Sequence, residues 1–149
     1  MAVIEEAVHI NCEIEKVYRI SQDYLVRYQW DPFPDRIELL GGGTEIAAGV
    51  RALVIAKSGL KMEVEFVNVK PPTSAAIVMT EGPAILEKFA GSWIFKAEEK
   101  TCTQVRFRYL VKAKWWALPW MSERIAVWYF RREVIKRLTG LKRYCENDV

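Results

Sequence analysis

The chain has 149 residues, 51% of them hydrophobic and 28% charged, with a formal net charge of +3. That length suits one domain spanning residues 1–149, and the composition is globular, which excludes a disordered chain. No apolar run reaches the roughly 18–20 residues of a membrane span, and the opening MAVIEEAVHINCE has acids where a secretory leader has bases, so a cytoplasmic protein is expected.

Residues 3–11 read as a first strand marked by Val8 and Ile10, with His9 on the opposite parity and so turned outward. Two short helical stretches follow, around 13–20 and 22–28, with Ile14, Val17, Tyr18 and Leu25 spaced for one face. WDPFP at 30–34 ends them, because Pro32 and Pro34 push the residues before them toward extended geometry. Asp31 and Asp35 read as turn residues beside those prolines.

From there the period is two. RIELL (36–40) is a strand closed by Gly41-Gly42-Gly43, and the GGGT at 41–44 reads as a turn, since it lacks the Lys-Ser/Thr of a phosphate loop. Further strands are expected at 48–57, 60–69, 74–81, 86–97 and 102–113. In 60–69, Leu60, Met62, Val64 and Phe66 alternate with Lys61, Glu63 and Glu65. In 102–113, Val105, Phe107, Tyr109 and Val111 alternate with Arg106, Arg108 and Lys112. One apolar and one charged face imply an antiparallel sheet, covered on one side and wet on the other.

The cover is the segment 117–145, a helix about 40 Å long at 1.5 Å per residue. Its apolar members Trp120, Val127, Trp128, Val134, Ile135, Leu138, Leu141 and Cys145 share one half of a helical wheel. Charge is polarised along the chain: residues 1–49 hold nine acids against four bases, whereas 122–144 hold seven bases against Glu123 and Glu133. Those bases interleave with the helix's apolar positions and accompany no nucleic-acid motif, so nucleic acid is not an expected partner. Cys12, Cys102 and Cys145 lack zinc spacing and have only His9 for company, so they read as reduced thiols, with no metal or cofactor.

This order resembles the helix-grip fold of the START-like superfamily, and within it the polyketide cyclase/dehydrase and lipid-transport branch. The carriers are Ile10, Val17-Tyr18, Ile20 and Asp23, then WDPFPDRIELLGG, GLKMEVEFV, MTEGP at 79–83 and FAGSW at 89–93. The resemblance covers essentially the whole chain and implies an α+β fold. In it, a curved antiparallel sheet of about six to seven strands wraps a long C-terminal helix, with two short helices after the first strand. It also implies a cavity between sheet and helix for a hydrophobic or amphipathic small molecule, such as a lipid or polyketide, with a cyclase or dehydratase as the enzymatic alternative.

In such a cavity the inward strand residues become lining: Met62, Val64, Phe66, Ile77, Met79, Phe89, Trp93, Phe95, Phe107 and Tyr109. Methionines and aromatic rings suit an irregular ligand. Trp120 and Trp128 join them from the apolar half of the wheel, and Arg124 and Arg131 fall inside that half as well. The two arginines have three open placements: snorkelling at the helix edge, pairing with Glu81 or Glu87 as inward carboxylates, or holding the acidic or phenolic head of a ligand. Cyclase chemistry would fall to Tyr109, Glu81 and Arg131. WWALPW (115–120) joins the last strand to the helix; Trp115 and Trp116 either form a lid on WDPFP or sit exposed beside Lys112, Lys114 and Arg124, where they would meet a membrane interface. The oligomeric state is open.

Overall fold

The computed structural model describes residues 1–41, 43 and 45–147; of the GGGT turn, Gly42 and Thr44 lie outside the described residues. Strand β1 (Ala2–Ile10) leads into helices α1 (Ile14–Gln22) and α2 (Tyr24–Trp30). Strands β2 (Pro34–Leu39), β3 (Arg51–Ala56), β4 (Lys61–Lys70), β5 (Ser74–Glu81), β6 (Leu86–Glu99) and β7 (Cys102–Ala113) follow. A 3₁₀ turn at Trp115–Ala117 then precedes helix α3 (Pro119–Asn147).

The seven strands form one antiparallel sheet in the order β1-β7-β6-β5-β4-β3-β2. It is a meander from β2 to β7, with β1 added beside β7. The alternation read from the sequence is the burial pattern observed: Val105, Phe107, Tyr109 and Val111 of β7 are buried and Arg106 and Arg108 exposed. Register shifts at Glu63/Val64 and Phe66/Asn68 in β4, and at Leu86/Lys88 in β6, put extra residues into single strands. Such bulges bend and twist a sheet, and this one curves around the helices.

The two short helices begin and end about two residues later than expected, because Asp23 stands between them. Its carboxylate accepts the backbone N–H of Leu25 at 3.0 Å and starts α2 there. That phase has a consequence for α2. Leu25, expected on the inner face, is 85% exposed, while Arg27 is only 3% exposed and lies inside with Trp30.

Helix α3 packs on β1 and β7 through part of the face expected, since Val134, Leu138, Leu141 and Cys145 are inward, but turned away from the tryptophans. Its inward line is Phe130, Val134, Leu138, Leu141 and Cys145, continued N-terminally by half-buried Ala126 and Ser122. Trp120, Trp128 and Ile135 are exposed, as are Arg124 and Arg131. The helix is rotated by its first turn. Glu123 accepts the Ala113 backbone N–H at 3.1 Å and pairs with the N-terminal amine at 3.0 Å, which turns the small residues toward the sheet and the tryptophans away.

Close approach of α3 to the end of α2 depends on one missing side chain. A Cβ on Gly140 would lie 2.2 Å from the Trp30 carbonyl oxygen. In an ordinary helix interior Gly→Ala stabilises by about 1 kcal/mol. Here the sign should reverse: Gly140→Ala is expected to destabilise by ~1–3 kcal/mol, lowering the thermal midpoint by roughly 2–10 °C. A differential scanning measurement showing an unchanged or raised midpoint would contradict this packing.

Candidate functional site

The concave face of the sheet and the helices α2 and α3 enclose a cavity. Its floor is made by β4–β7, through Met62, Val64, Phe66, Phe89, Trp93, Phe107 and Tyr109. Ile37 and Val54 bring the β2–β3 side to it, and Tyr24, Arg27 and Arg137 come from the helices. Aromatic rings support one another along the floor: Trp93 meets Phe107 edge-on at 4.5 Å, and Phe107 meets Tyr109 at 4.6 Å. Gly91 keeps room beside Tyr109, since a Cβ there would lie 3.1 Å from the ring. The free interior is about 80 Å³, more than a single water requires but below the ~300–1,000 Å³ of a drug-sized site.

At one end of this apolar space lies a buried ionic cluster. The WDPFP turn aims Asp31 inward, its carboxylate wholly buried. One carboxylate oxygen accepts the Phe33 backbone N–H at 3.0 Å, so the residue does serve the turn as expected. The same carboxylate receives Arg137 from both Nε and Nη2, the shortest contact being 2.9 Å. Arg137 Nη1 donates to the Tyr109 hydroxyl at 2.6 Å. Arg27 reaches Asp31 more loosely, at 3.4 Å, and donates its Nη2 to the Ser21 carbonyl. Its Nε is buried without a partner.

Both guanidiniums are sandwiched by rings. Arg137 lies 4.9 Å from the Phe107 centroid and 5.0 Å from that of Phe33; Arg27 lies 4.7 Å from Tyr24 and 5.2 Å from Trp30. Trp93 is within reach of both. The two are not equivalent. Burial opposes the charged form of Arg137, but Asp31 and then Tyr109 outweigh it and hold its pKa above the ordinary value. Burial lowers the pKa of Arg27, and Tyr24 and Asp31 offset this only in part. Asp31 is therefore the counterion of Arg137, and Arg27 has none of its own. Burial also raises the pKa of Tyr109, so its phenol stays protonated at neutral pH and is a hydrogen-bond donor rather than a base.

Several residues nominated from sequence lie elsewhere. Met79 is half-buried near the end of β5, its sulfur against Gly82. Trp120, Trp128, Arg124 and Arg131 are on the outer faces of α3, and Arg131 sits 3.4 Å from Glu6. The inward carboxylate is not Glu81 or Glu87: both are exposed, and Glu87 pairs with Lys112 on the wet side at 2.8 Å. Trp115 and Trp116 are both exposed. His9 is outward as expected, paired with Glu98 near Cys102. The missed residues are Arg27, Asp31 and Arg137. A signal for Arg137 existed, since it falls within the spacing Phe130, Val134, Leu138, Leu141, Cys145, seven residues after the first of them.

A curved antiparallel sheet closed on a C-terminal helix around an apolar cavity defines the START-like helix-grip class. Within it, the chain belongs to the polyketide cyclase / dehydrase and lipid transport family, whose pattern matches residues 1–146. Among solved structures it is similar to the protein XoxI from Bacillus cereus, at 14% identity, covering 97% of this chain and 96% of that one, with a TM-score of 0.79. A START superfamily protein from Mycobacterium smegmatis is similar at 14% identity, 95% and 97% coverage and a TM-score of 0.73. The di-domain ARO/CYC BexL from the BE-7585A biosynthetic pathway is similar at 17% identity over 96% of this chain and 46% of that one, with a TM-score of 0.72. At such identities the likeness is one of fold. No curated protein matches the chain.

Two predictions follow from the cluster and its burial. Asp31→Ala would leave two buried cations with no anion and is expected to cost ~3–5 kcal/mol, whereas Arg27→Met should be neutral or stabilising. Equal losses for the two variants in urea unfolding would overturn this assignment of charge. Burial also pushes the Cys145 thiol from 9.0 up to about 12. The folded state therefore holds that proton more tightly than the unfolded one. The corresponding stability is fully present below pH 9 and should be lost as pH rises toward 12, as a falling urea midpoint would show.

Proposed function

We propose that this protein binds a hydrophobic or amphipathic small molecule, such as a lipid or an aromatic polyketide, in the cavity between sheet and C-terminal helix. The observation that carries this is a continuous apolar wall with a few polar groups converging at one end, the arrangement of small-molecule sites in general. Met62, Val64, Phe66, Phe89, Trp93, Phe107 and Tyr109 form the wall. Since the free interior is small, occupancy requires the walls to part. The β2–β4 side is the part able to move, because α3 packs on β1 and β7 and reaches the β3–β4 turn through an exposed hydroxyl contact, Tyr129 to Ser58 at 2.7 Å.

A cyclase-type reaction on the same scaffold is the second reading, favoured by Tyr109. Its oxygen is engaged by Arg137, so its proton is free for an acceptor on a bound molecule. The family description names the same reaction class. Glu81 and Arg131 lie outside the cavity and have no part in it. Turnover of a poly-ketone substrate that vanishes in Tyr109→Phe with binding retained would establish the enzyme.

The surface around WWALPW suits delivery from a bilayer. Trp115 is 85% exposed and Trp128 62%, and Trp116, Leu118, Trp120, Met121 and Ile125 are exposed around them. Arg124, Arg131 and Arg132 stand among these, with Arg132 stacked 4.8 Å over Trp128. Interfacial tryptophans ringed by bases are what an anionic lipid surface attracts.

Native mass spectrometry of protein purified without detergent, followed by extraction, should reveal a bound small molecule. Val64→Phe, which fills the free interior, should remove it while leaving the circular dichroism spectrum unchanged. A ligand retained at full stoichiometry in that variant would place binding elsewhere. Separately, the protein should sediment with anionic but not zwitterionic vesicles, and Trp115→Ser with Trp116→Ser should reduce this at least several-fold. Sedimentation unaffected by the double change would rule out docking through these rings.

A further inference from the structure

The structure assigns a charge to the ligand: we infer that the cavity takes a molecule with an anionic oxygen head, of the carboxylate class, held at Arg27 and Arg137. This rests on the cavity-binding reading above and specifies it. The fully buried ionic side chains among the described residues are Arg27, Arg137 and Asp31, which leaves an excess of one positive charge. The two arginines border the cavity, and no acidic residue does. Asp31 lies behind them, committed chiefly to Arg137 and the Phe33 N–H and only loosely, at 3.4 Å, to Arg27.

The second observation is the orphaned donor. Arg27 is buried on a helix that leaves Leu25 in solvent, and its Nε has no acceptor. A guanidinium cannot shed its charge at physiological pH, and burying it with only a shared, 3.4 Å counterion is costly. Ring faces offset part of that cost, but Tyr24, Trp30 and Trp93 provide no anion. A carboxylate entering the apolar space supplies the missing charge and accepts donors in the planar geometry that guanidinium groups favour. The remaining polar lining, Gln22, Tyr24 and Tyr109, can donate hydrogen bonds to the same head. The body of the ligand would then lie along Phe66, Phe89 and Phe107.

The test compares a flat aromatic acid with its neutral analogue. With 2-naphthoate and 2-naphthalenemethanol at pH 7, titration calorimetry should show the acid binding at least about tenfold tighter, the scale of a charge-assisted hydrogen bond. Arg27→Gln keeps an N–H for the Ser21 carbonyl and removes the charge; its acid-to-alcohol ratio should fall close to one. Arg27→Lys keeps the charge and should keep most of the preference. If the alcohol binds and the acid binds no better, or if Arg27→Gln retains the full ratio, the head assignment is overturned while the cavity reading stands. If neither compound binds, and no co-purifying molecule is found, the cavity reading falls and takes this assignment with it.

Discussion

The structure turns on a single carboxylate. Asp31 belongs to the turn between α2 and β2, Arg137 to α3, and Tyr109 to β7, and one chain of hydrogen bonds links the three. Each layer is thereby referred to the others at the point where the cavity begins. The contribution to net stability is not the reason for such a device, since apolar side chains of similar volume often stabilise as well as or better than a buried ion pair. What the arrangement supplies is position. Arg137 is fixed in one rotamer by a two-pronged contact and by rings on either side, so its remaining N–H groups have a defined direction. Gly140, one turn further along α3, lets the helix lie against the Trp30 carbonyl and so brings Arg137 within reach of Asp31.

The strands and their inward faces were legible in the sequence because period-two alternation is a local property. Val105, Phe107, Tyr109 and Val111 against Arg106 and Arg108 can be read in only one way. The long helix was legible in extent but only partly in rotation. Of its expected face, Val134, Leu138, Leu141 and Cys145 are inward, whereas Trp120, Trp128 and Ile135 from the same half of the wheel are exposed. The choice between them is made by tertiary contacts, the Glu123 hydrogen bond to β7 and its pairing with the N-terminus, which no window on the helix contains.

The ionic cluster escaped for a related reason. Pattern reading assigns charge to the outside, so an arginine counts as inward only when a partner is visible. Asp31 and Arg137 are 106 residues apart, and the proline-rich turn around Asp31 gave it a sufficient local role. That role is real, because it accepts the Phe33 N–H, but it uses only part of the carboxylate. On α2 the inversion is sharper still. Leu25 was placed inside and Arg27 left unassigned, whereas the Asp23 cap sets a phase that does the opposite.

Sequences that fold well agree at every level, and disagreements concentrate where function is served. This chain disagrees in two places, with opposite signs. Inside, an arginine is buried where a leucine was available two residues away. Outside, tryptophans and isoleucine stand in solvent on a helix whose inner line includes alanine and serine. Folding alone would exchange the two. Each inversion leaves an unmet demand of a different kind, an anion within the cavity and an apolar medium beside the basic helix. On the reading proposed above, an amphipathic acid in an anionic bilayer would meet both demands, its head at Arg27 and Arg137 inside and its medium at the exposed tryptophans of α3 outside.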